Sequence, residues 1–232
     1  MLSSPYLGWY IFLGIFLAVA ALVVWLVRWN KRHQAQRKQM FLEYGFQDVP
    51  ERAAELAERA KDLHHHWSEH HGVEELKRKS EWGYELILFD LKDSSGDSVH
   101  REQDQALLIS PDLKLPRFTL FPKAEGAGFL AAMANRVLAW ISARFAAQVA
   151  FPDHPSFDAK YLVWGNDESA VRALLTPARL DRLAETRELQ VEGNADGFLF
   201  SRMEYRRVKR TDAEKLQDLL RTAKVLFEIF KE

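Results

Sequence analysis

The chain has 232 residues, with 32 Lys or Arg against 33 Asp or Glu, which excludes a strongly basic nucleic-acid-binding protein and a strongly acidic tail protein. It contains no cysteine, so disulfide bonds, thiolate metal sites and a cysteine nucleophile are excluded. Hydrophobic residues make up 47% of the chain, which excludes global disorder.

The first 27 residues contain no Lys, Arg, Asp or Glu. Within them, residues 6–27 form an apolar run that would measure roughly 33 Å as an α-helix, enough to cross a hydrocarbon core of about 30 Å. Aromatic residues of the kind that favour membrane interfaces mark its two ends: Tyr6, Trp9, Tyr10, Trp25 and Trp29. The sequence therefore predicts a transmembrane helix over residues 6–27, preceded by a short extracytoplasmic segment, residues 1–5.

A cleaved signal peptide is the competing interpretation of this run, because Ala18-Val19-Ala20 resembles a cleavage site. Two features oppose it. The leader carries no positive charge, and the apolar run continues without interruption past Ala20. The sequence thus favours an anchor that is retained in the mature protein over a segment that is removed.

The charges on either side of the run predict its orientation. The preceding segment, MLSSP, has no cation, whereas five cations follow the run: Arg28, Lys31, Arg32, Arg37 and Lys38. Cations concentrate on the cytoplasmic side of membrane proteins, so the C-terminal part is predicted to be cytoplasmic and the N-terminus outside. We expect a single-pass protein of the bacterial inner (plasma) membrane, whose basic cluster contacts lipid or a partner.

Two small residues inside the run have the spacing of a helix-packing motif. Gly14 and Ala18 form a small-xxx-small pair, which allows two membrane helices to approach closely. Small residues are also common in spanning helices that face only lipid. A partner helix and a bare lipid-facing anchor are both compatible with the pair.

Residues 28–80 are predicted to form a juxtamembrane helical segment. The first helix runs on toward Tyr44 and ends at Gly45. A second helix is predicted from Asp48, because Asp48 and Glu51 have the spacing of a capping box, and Gly72 is a plausible end. The charged residues 74–80 are interpreted as a solvated last turn or a linker.

Five histidines lie close together toward the end of this segment: His64, His65, His66, His70 and His71. His66 and His70 share a helix face, and Asp62 lies four residues before His66, so one face could present ligands suited to zinc. The zincin motif needs Glu after the first His, and Trp67 stands there instead. A metal site on Asp62, His66 and His70 and a solvated, pH-sensitive surface both remain possible interpretations.

Residues 81–232 are predicted to be one cytoplasmic α+β domain, with a mixed, mostly antiparallel sheet packed with helices. Strands are expected over residues 84–91, 106–109, 117–121, 160–164, 189–192 and 198–202. Helices are expected over residues 129–147, and from Ser169 to about residue 187 with cap oxygens from Asn166-Asp167-Glu168 and a break at Pro177. A terminal helix is expected from a capping box formed by Thr211 and Glu214.

A second basic cluster follows the last predicted strand and comprises Arg202, Arg206, Arg207, Lys209 and Arg210. Such a cluster attracts anionic lipid or the acidic surface of a partner. A charged strand end exposed to water explains it equally well. No nucleic-acid partner is expected, because the chain is close to neutral and lacks an RNP-like motif.

Three stretches of the domain resemble a group of proteins. They are LPRFTLFPK at 115–123, FDAKYLVWGNDESAVRALL at 157–175 and LQVEG at 189–193. Together they are similar to uncharacterised bacterial single-pass membrane-anchored proteins with a cytoplasmic α+β domain. The resemblance implies a cytoplasmic domain behind a single anchor, and it implies no activity.

The functional hypothesis is a membrane-anchored, non-enzymatic scaffold or accessory subunit that binds other membrane proteins at the cytoplasmic face. No nucleophile elbow or phosphate-binding loop is present, and no cofactor is expected. An enzyme is the alternative, in particular a metal-assisted one that uses residues 64–71. A sensor of anionic lipid surfaces is a third hypothesis.

Overall fold

The computed structural model describes residues 7–64, 71–81, 83–93, 100–123, 147–186, 188–202 and 211–231. The chain divides into two compact units, residues 1–46 and residues 47–232. The first unit is built on a long helix. The second is built on a nine-stranded sheet with helices, which confirms the predicted α+β class.

The N-terminal unit is dominated by helix α1, Leu7–Glu43. Its segment Phe12–Glu43 contains a window with mean hydropathy 2.3, none of it buried, so this helix is long and apolar enough to cross a membrane. No Gly or Pro interrupts the part after Arg28. The prediction that the helix continues past the apolar run is confirmed.

A Schellman motif ends α1 at the predicted glycine. Gly45 has φ +81°, its N–H donates to Leu42 O, and the N–H of Phe46 donates to Phe41 O. The Phe41 and Phe46 rings pack edge to face with centroids 5.7 Å apart, which supplies the apolar contact that usually accompanies this motif. The helix therefore has a defined end rather than a frayed one.

The nine strands in the described part of the chain belong to one sheet with the order β1-β2-β3-β4-β9-β8-β5-β7-β6, and every described pair is antiparallel. The strands are β1 (Gln47–Asp48), β2 (His71–Glu81), β3 (Tyr84–Asp93), β4 (His100–Ile109), β5 (Leu115–Pro122), β6 (Ala147–Gln148), β7 (Tyr161–Gly165), β8 (Leu189–Ala195) and β9 (Gly197–Arg202). All six predicted strands are confirmed as β3, β4, β5, β7, β8 and β9, and several are longer than predicted.

The start of the second unit differs from the prediction. Asp48 lies in β1, where it pairs with Lys77, and so it does not cap a helix. A 3₁₀ turn, Pro50–Arg52, leads into helix α2, Ala53–Leu63, whose N-cap makes no side-chain hydrogen bond. Gly72 lies in β2 instead of ending the helix. Strand pairing of β1 with β2 takes precedence over the local capping pattern.

The charged residues 74–80 also form a strand rather than a helical turn or a linker. They belong to β2, which pairs with β3 along most of its length. A bulge at Glu75, where φ is +53°, shifts the register between Glu74 and Lys77. Leu76 is nonetheless buried, so this strand contributes to the core despite its polar composition.

Helix α2 covers one face of the sheet. Leu56, Ala60 and Leu63 pack with strand residues that include Ile87 and Leu199 to form a buried cluster. Arg59 of α2 also forms an ion pair with Asp196 in the turn between β8 and β9. The helix is therefore held by both apolar packing and a charge contact.

The C-terminal helix lies on the opposite face of the sheet from α2. Leu199 packs with α2 and Phe198 packs with the C-terminal helix, and these two successive residues of β9 point to opposite sides of the sheet. Helix α6, Asp212–Phe230, begins at the predicted capping box, in which Thr211 accepts from Glu214 N–H and Glu214 accepts from Thr211 N–H. The Phe230 ring lies 5.5 Å from the rings of both Phe118 and Phe198.

Three short helices complete the described part of the second unit: α3 (Pro155–Asp158), α4 (Glu168–Leu174) and α5 (Pro177–Ala184). The side chain of Asp167 caps α4 by accepting from Ala170 N–H at 3.1 Å. The predicted cap and the break at Pro177 are both confirmed. Of the helix predicted over residues 129–147, only Ala147 is described, and it lies in β6.

Candidate functional site

Three of the predicted membrane or partner contacts of α1, Trp25, Trp29 and Arg37, belong to a series of ring contacts along the helix. Trp25 and Trp29 stack with ring centroids 6.4 Å apart, and the Trp29 ring meets the His33 ring edge to face at 5.4 Å. One turn further, the guanidinium of Arg37 lies 5.7 Å from the centre of the Phe41 ring. The i to i+4 spacing brings each of these groups next to the following one, along a ridge that is inclined to the helix axis.

The cations that follow the apolar run lie on α1, where Arg37 is half-buried and the other four are exposed: Arg28, Lys31, Arg32 and Lys38. The first acidic residue of the chain is Glu43. Arg28, Lys31 and Arg32 are related by steps of three and four residues, so they share one face of the helix. This face carries a concentrated positive charge directly after the last apolar residue.

The other predicted anchor residues are described to different extents. Trp9 and Tyr10 lie within α1, and Tyr6 lies outside the described residues. Ala18 is exposed, and a Cβ added at Gly14 would meet nothing within 4 Å. In the described part of the chain, therefore, no neighbour packs against this small surface.

Most of the predicted histidine site lies outside the described residues, which include neither His66 nor His70. Asp62 is exposed near the end of α2, and the N–H of His64 caps that helix by donating to Ala60 O. His71 begins β2. Among the described residues, no group of three His, Asp or Glu is placed to hold a metal ion.

The second basic cluster is described only at Arg202, since Arg206, Arg207, Lys209 and Arg210 lie outside the described residues. Arg202 forms an ion pair with Asp218 of α6 at 2.8 Å. Its guanidinium also donates to the Thr222 hydroxyl at 3.4 Å. This arginine links the end of β9 to the C-terminal helix.

An ion-pair network that the sequence analysis did not predict joins α2 to the sheet. The Arg52 guanidinium contacts Glu85 of β3 and Glu55 of α2, each at 2.7 Å. These hydrogen bonds raise the pKa of Arg52 above its ordinary value, and the Arg52 hydrogen bond lowers the pKa of Glu55. Arg78 of β2 also pairs with Glu85.

The second unit has an open cleft of about 740 Å³ beside the β8–β9 turn. Its walls come from the segment before and into β5, from α4 and α5, and from the end of α6. Most of the lining residues are apolar, and three are charged. The lining consists of Leu113, Lys114, Leu115, Pro116, Ala170, Ala173, Leu174, Arg179, Ala195, Asp196 and Phe230.

Arg179 is a fixed part of this cleft. Its guanidinium donates to Leu174 O at 2.9 Å and to Lys231 O at 3.2 Å, so it satisfies carbonyls at the ends of α4 and α6. A cation is favoured at such helix C-termini. The cleft therefore combines a fixed guanidinium with a largely apolar lining, an arrangement suited to a protein segment that has both apolar and charged side chains.

The sequence analysis missed this cleft, because its walls come from positions far apart in the chain. The only local signal is the pair Ala170 and Ala173, small residues three apart on α4. Small side chains there leave space next to Pro116. Nothing in the sequence indicates that these three residues meet.

A scan against protein-family models and a search of curated protein sequences both find no match. A search of solved structures finds the crystal structure of the mycobacterial trehalose monomycolate transport factor A, TtfA. The two chains superpose with a TM-score of 0.50 at 12% sequence identity, over 83% of this chain and 91% of the other. At this identity the similarity shows that the two proteins share a fold.

Proposed function

We propose that this chain is a membrane-anchored, non-enzymatic accessory protein, whose α+β unit binds partner proteins at the cytoplasmic face of the membrane. The observation that carries the proposal is α1, whose apolar residues are exposed from Phe12 to Val27. Phe12 and Phe16 are 65% and 61% exposed. Such a surface requires a lipid or protein environment, because soluble proteins rarely expose contiguous apolar patches of this size.

The cleft beside the β8–β9 turn is the proposed partner surface. It offers apolar contact area together with Lys114 and Arg179, the mixture of an apolar centre and polar margin typical of protein interfaces. An anchor raises the local concentration of such a surface near membrane partners, so even a weak contact becomes effective.

The fold shared with TtfA supports a more specific form of the proposal. That protein is named a transport factor, and an accessory role in transport is the corresponding proposal for this chain. The orientation of the anchor, with the second unit on the cytoplasmic side, also belongs to the proposal and rests on the five cations that follow the apolar run.

Affinity purification from detergent-solubilised membranes tests the proposed partner surface. Ala173→Glu places a charged side chain in the cleft, and Ala54→Glu is the matched control, since Ala54 is exposed on α2 and does not line the cleft. We expect the wild type and Ala54→Glu to co-purify the same membrane proteins and Ala173→Glu to lose them. Equal recovery by both variants would rule out the cleft, and a wild type recovered alone would contradict partner binding.

A further inference from the structure

The cations of α1 divide into two groups by their distance from the apolar run. At 1.5 Å per residue, Arg28, Lys31 and Arg32 lie between roughly 1.5 and 7.5 Å beyond Val27 along the helix axis. Arg37 and Lys38 lie at roughly 15 Å or more. The headgroup layer on each side of a bilayer is only about 5–8 Å thick. Only the first group therefore falls within that layer.

The first group, Arg28, Lys31 and Arg32, also lacks a nearby carboxylate on its own helix. The first acidic residue, Glu43, is eleven residues after Arg32, a distance of roughly 16 Å along the axis. That exceeds the Debye length of about 8 Å at physiological ionic strength. Within α1, nothing neutralises the three charges, so an external anion is favoured beside them.

The aromatic residues mark the same depth. Trp25 and Trp29 are 59% and 53% exposed, and their rings stack on each other. Exposed indoles in this position favour the boundary between hydrocarbon and headgroups. Trp29 lies within one turn of all three cations, which places a lipid headgroup, rather than a soluble anion, next to them.

We infer that Arg28, Lys31 and Arg32 form a binding site for the phosphate of an anionic phospholipid in the leaflet at the C-terminal end of the apolar run. The two guanidinium groups, one helical turn apart, are suited to bidentate contact with phosphate oxygens, and Lys31 adds a third charge. Arg37 and Lys38 lie outside this site. The inference rests on the membrane anchoring contained in the proposed function.

The test uses the full chain reconstituted into phosphatidylcholine vesicles that contain a minority of phosphatidylglycerol. After gentle extraction, the ratio of the two lipids retained by the protein is measured against their ratio in the vesicles. The variants are R28Q/K31Q/R32Q and the control R37Q/K38Q, with glutamine chosen because it favours helix. Both leaflets contain the anionic lipid, so a reversed orientation of either variant does not affect the measurement.

We expect the wild type and R37Q/K38Q to retain phosphatidylglycerol in excess, including in the presence of inorganic phosphate. Each surface cation favours anionic lipid by a factor of roughly five, so R28Q/K31Q/R32Q should lower the excess at least about fivefold. No excess in the wild type, displacement by phosphate, or an equal loss in both variants would overturn the site. Failure of the protein to float with the vesicles would instead contradict the anchoring.

Discussion

Gly193 shows how a single missing side chain determines packing in the second unit. A Cβ built at this position would lie 2.4 Å from Phe118 Cε1, and the Phe118 ring is completely buried against Phe230. The ring has little room to move, because the interior is close-packed. The absence of a side chain on β8 is what allows the aromatic cluster beneath α6 to form.

Gly193→Ala should therefore destabilise the folded chain by about 1–3 kcal/mol, the usual cost of overpacking. Gly72→Ala is the matched control, since a Cβ there meets nothing within 4 Å. Urea unfolding of the full chain in detergent, followed by circular dichroism, measures both. Equal stability of the two variants would show that the Phe118 ring moves to accommodate the added methyl group. A smaller side chain, introduced as Phe118→Leu, should restore stability to Gly193→Ala.

The cap of α4 gives a pH dependence at the scale of one carboxylate. Hydrogen bonds from the Ser169 hydroxyl and the Ala170 N–H lower the pKa of Asp167 below its ordinary value of 3.8. A lowered folded-state pKa contributes stability above the ordinary pKa, and this contribution is lost as the pH falls through the folded-state value. The charge of Asp167 thus stabilises α4 at neutral pH.

Asp167→Asn separates this charge from the cap, because asparagine is an equally good cap acceptor and does not titrate. We expect the wild type to melt at a higher temperature than Asp167→Asn at neutral pH. This difference in melting temperature should disappear at pH values below the range in which aspartate side chains ordinarily titrate. Asp167→Ala, which removes the cap as well, should melt lowest at neutral pH. A constant difference at every pH would contradict the assigned role of the charge.

At the scale of elements, local chemistry predicted those features that depend on neighbours in the chain. The glycine end of α1, the Asp167 cap and the Thr211 capping box all involve groups within five residues of one another. The β2 strand was mispredicted because its residues pair with β3 along most of its length, and a run of charged residues resembles a linker when considered alone. Pairing partners that lie elsewhere in the chain leave no local signal.

The same reasoning explains what could be predicted of the candidate sites. The basic and aromatic residues of α1 follow one another along a single helix, so spacing alone placed them on shared faces. The cleft combines Pro116, Ala173 and Phe230, which come together only through the sheet topology. Sequence patterns therefore predicted where these residues lie along the helix and could not predict the cleft.

The orientation of α1 is open to a direct measurement, since the chain has no cysteine of its own. A single cysteine introduced as Ser4→Cys should react with a membrane-impermeant maleimide in intact cells. Ala54→Cys, at an exposed position on α2, should react only after permeabilisation. Labelling of Ala54→Cys in intact cells would reverse the proposed orientation.

At the scale of the whole molecule, the second unit contains its own sheet, capped helices and buried core. A fragment of residues 39–232, which keeps the Phe41–Phe46 ring pair, should be soluble, with the sheet and helix content of this unit in circular dichroism. It should fail to replace the full chain in cells that depend on it, because the proposed role requires tethering. Full replacement by the fragment would contradict that role, and an insoluble fragment would show that the core needs the anchor.

The unbroken course of α1 after Arg28 has a mechanical consequence. The 16 residues from Arg28 to Glu43 form a stiff arm of roughly 24 Å, with neither Gly nor Pro to absorb bending. A hydrophobic stretch longer than the local bilayer thickness is accommodated by tilting, and the average tilt of spanning helices is about 20° from the normal. A tilt of about 20° would move the far end of this arm sideways by roughly 8 Å. A change in bilayer thickness that tilts α1 would therefore displace the end of the helix laterally.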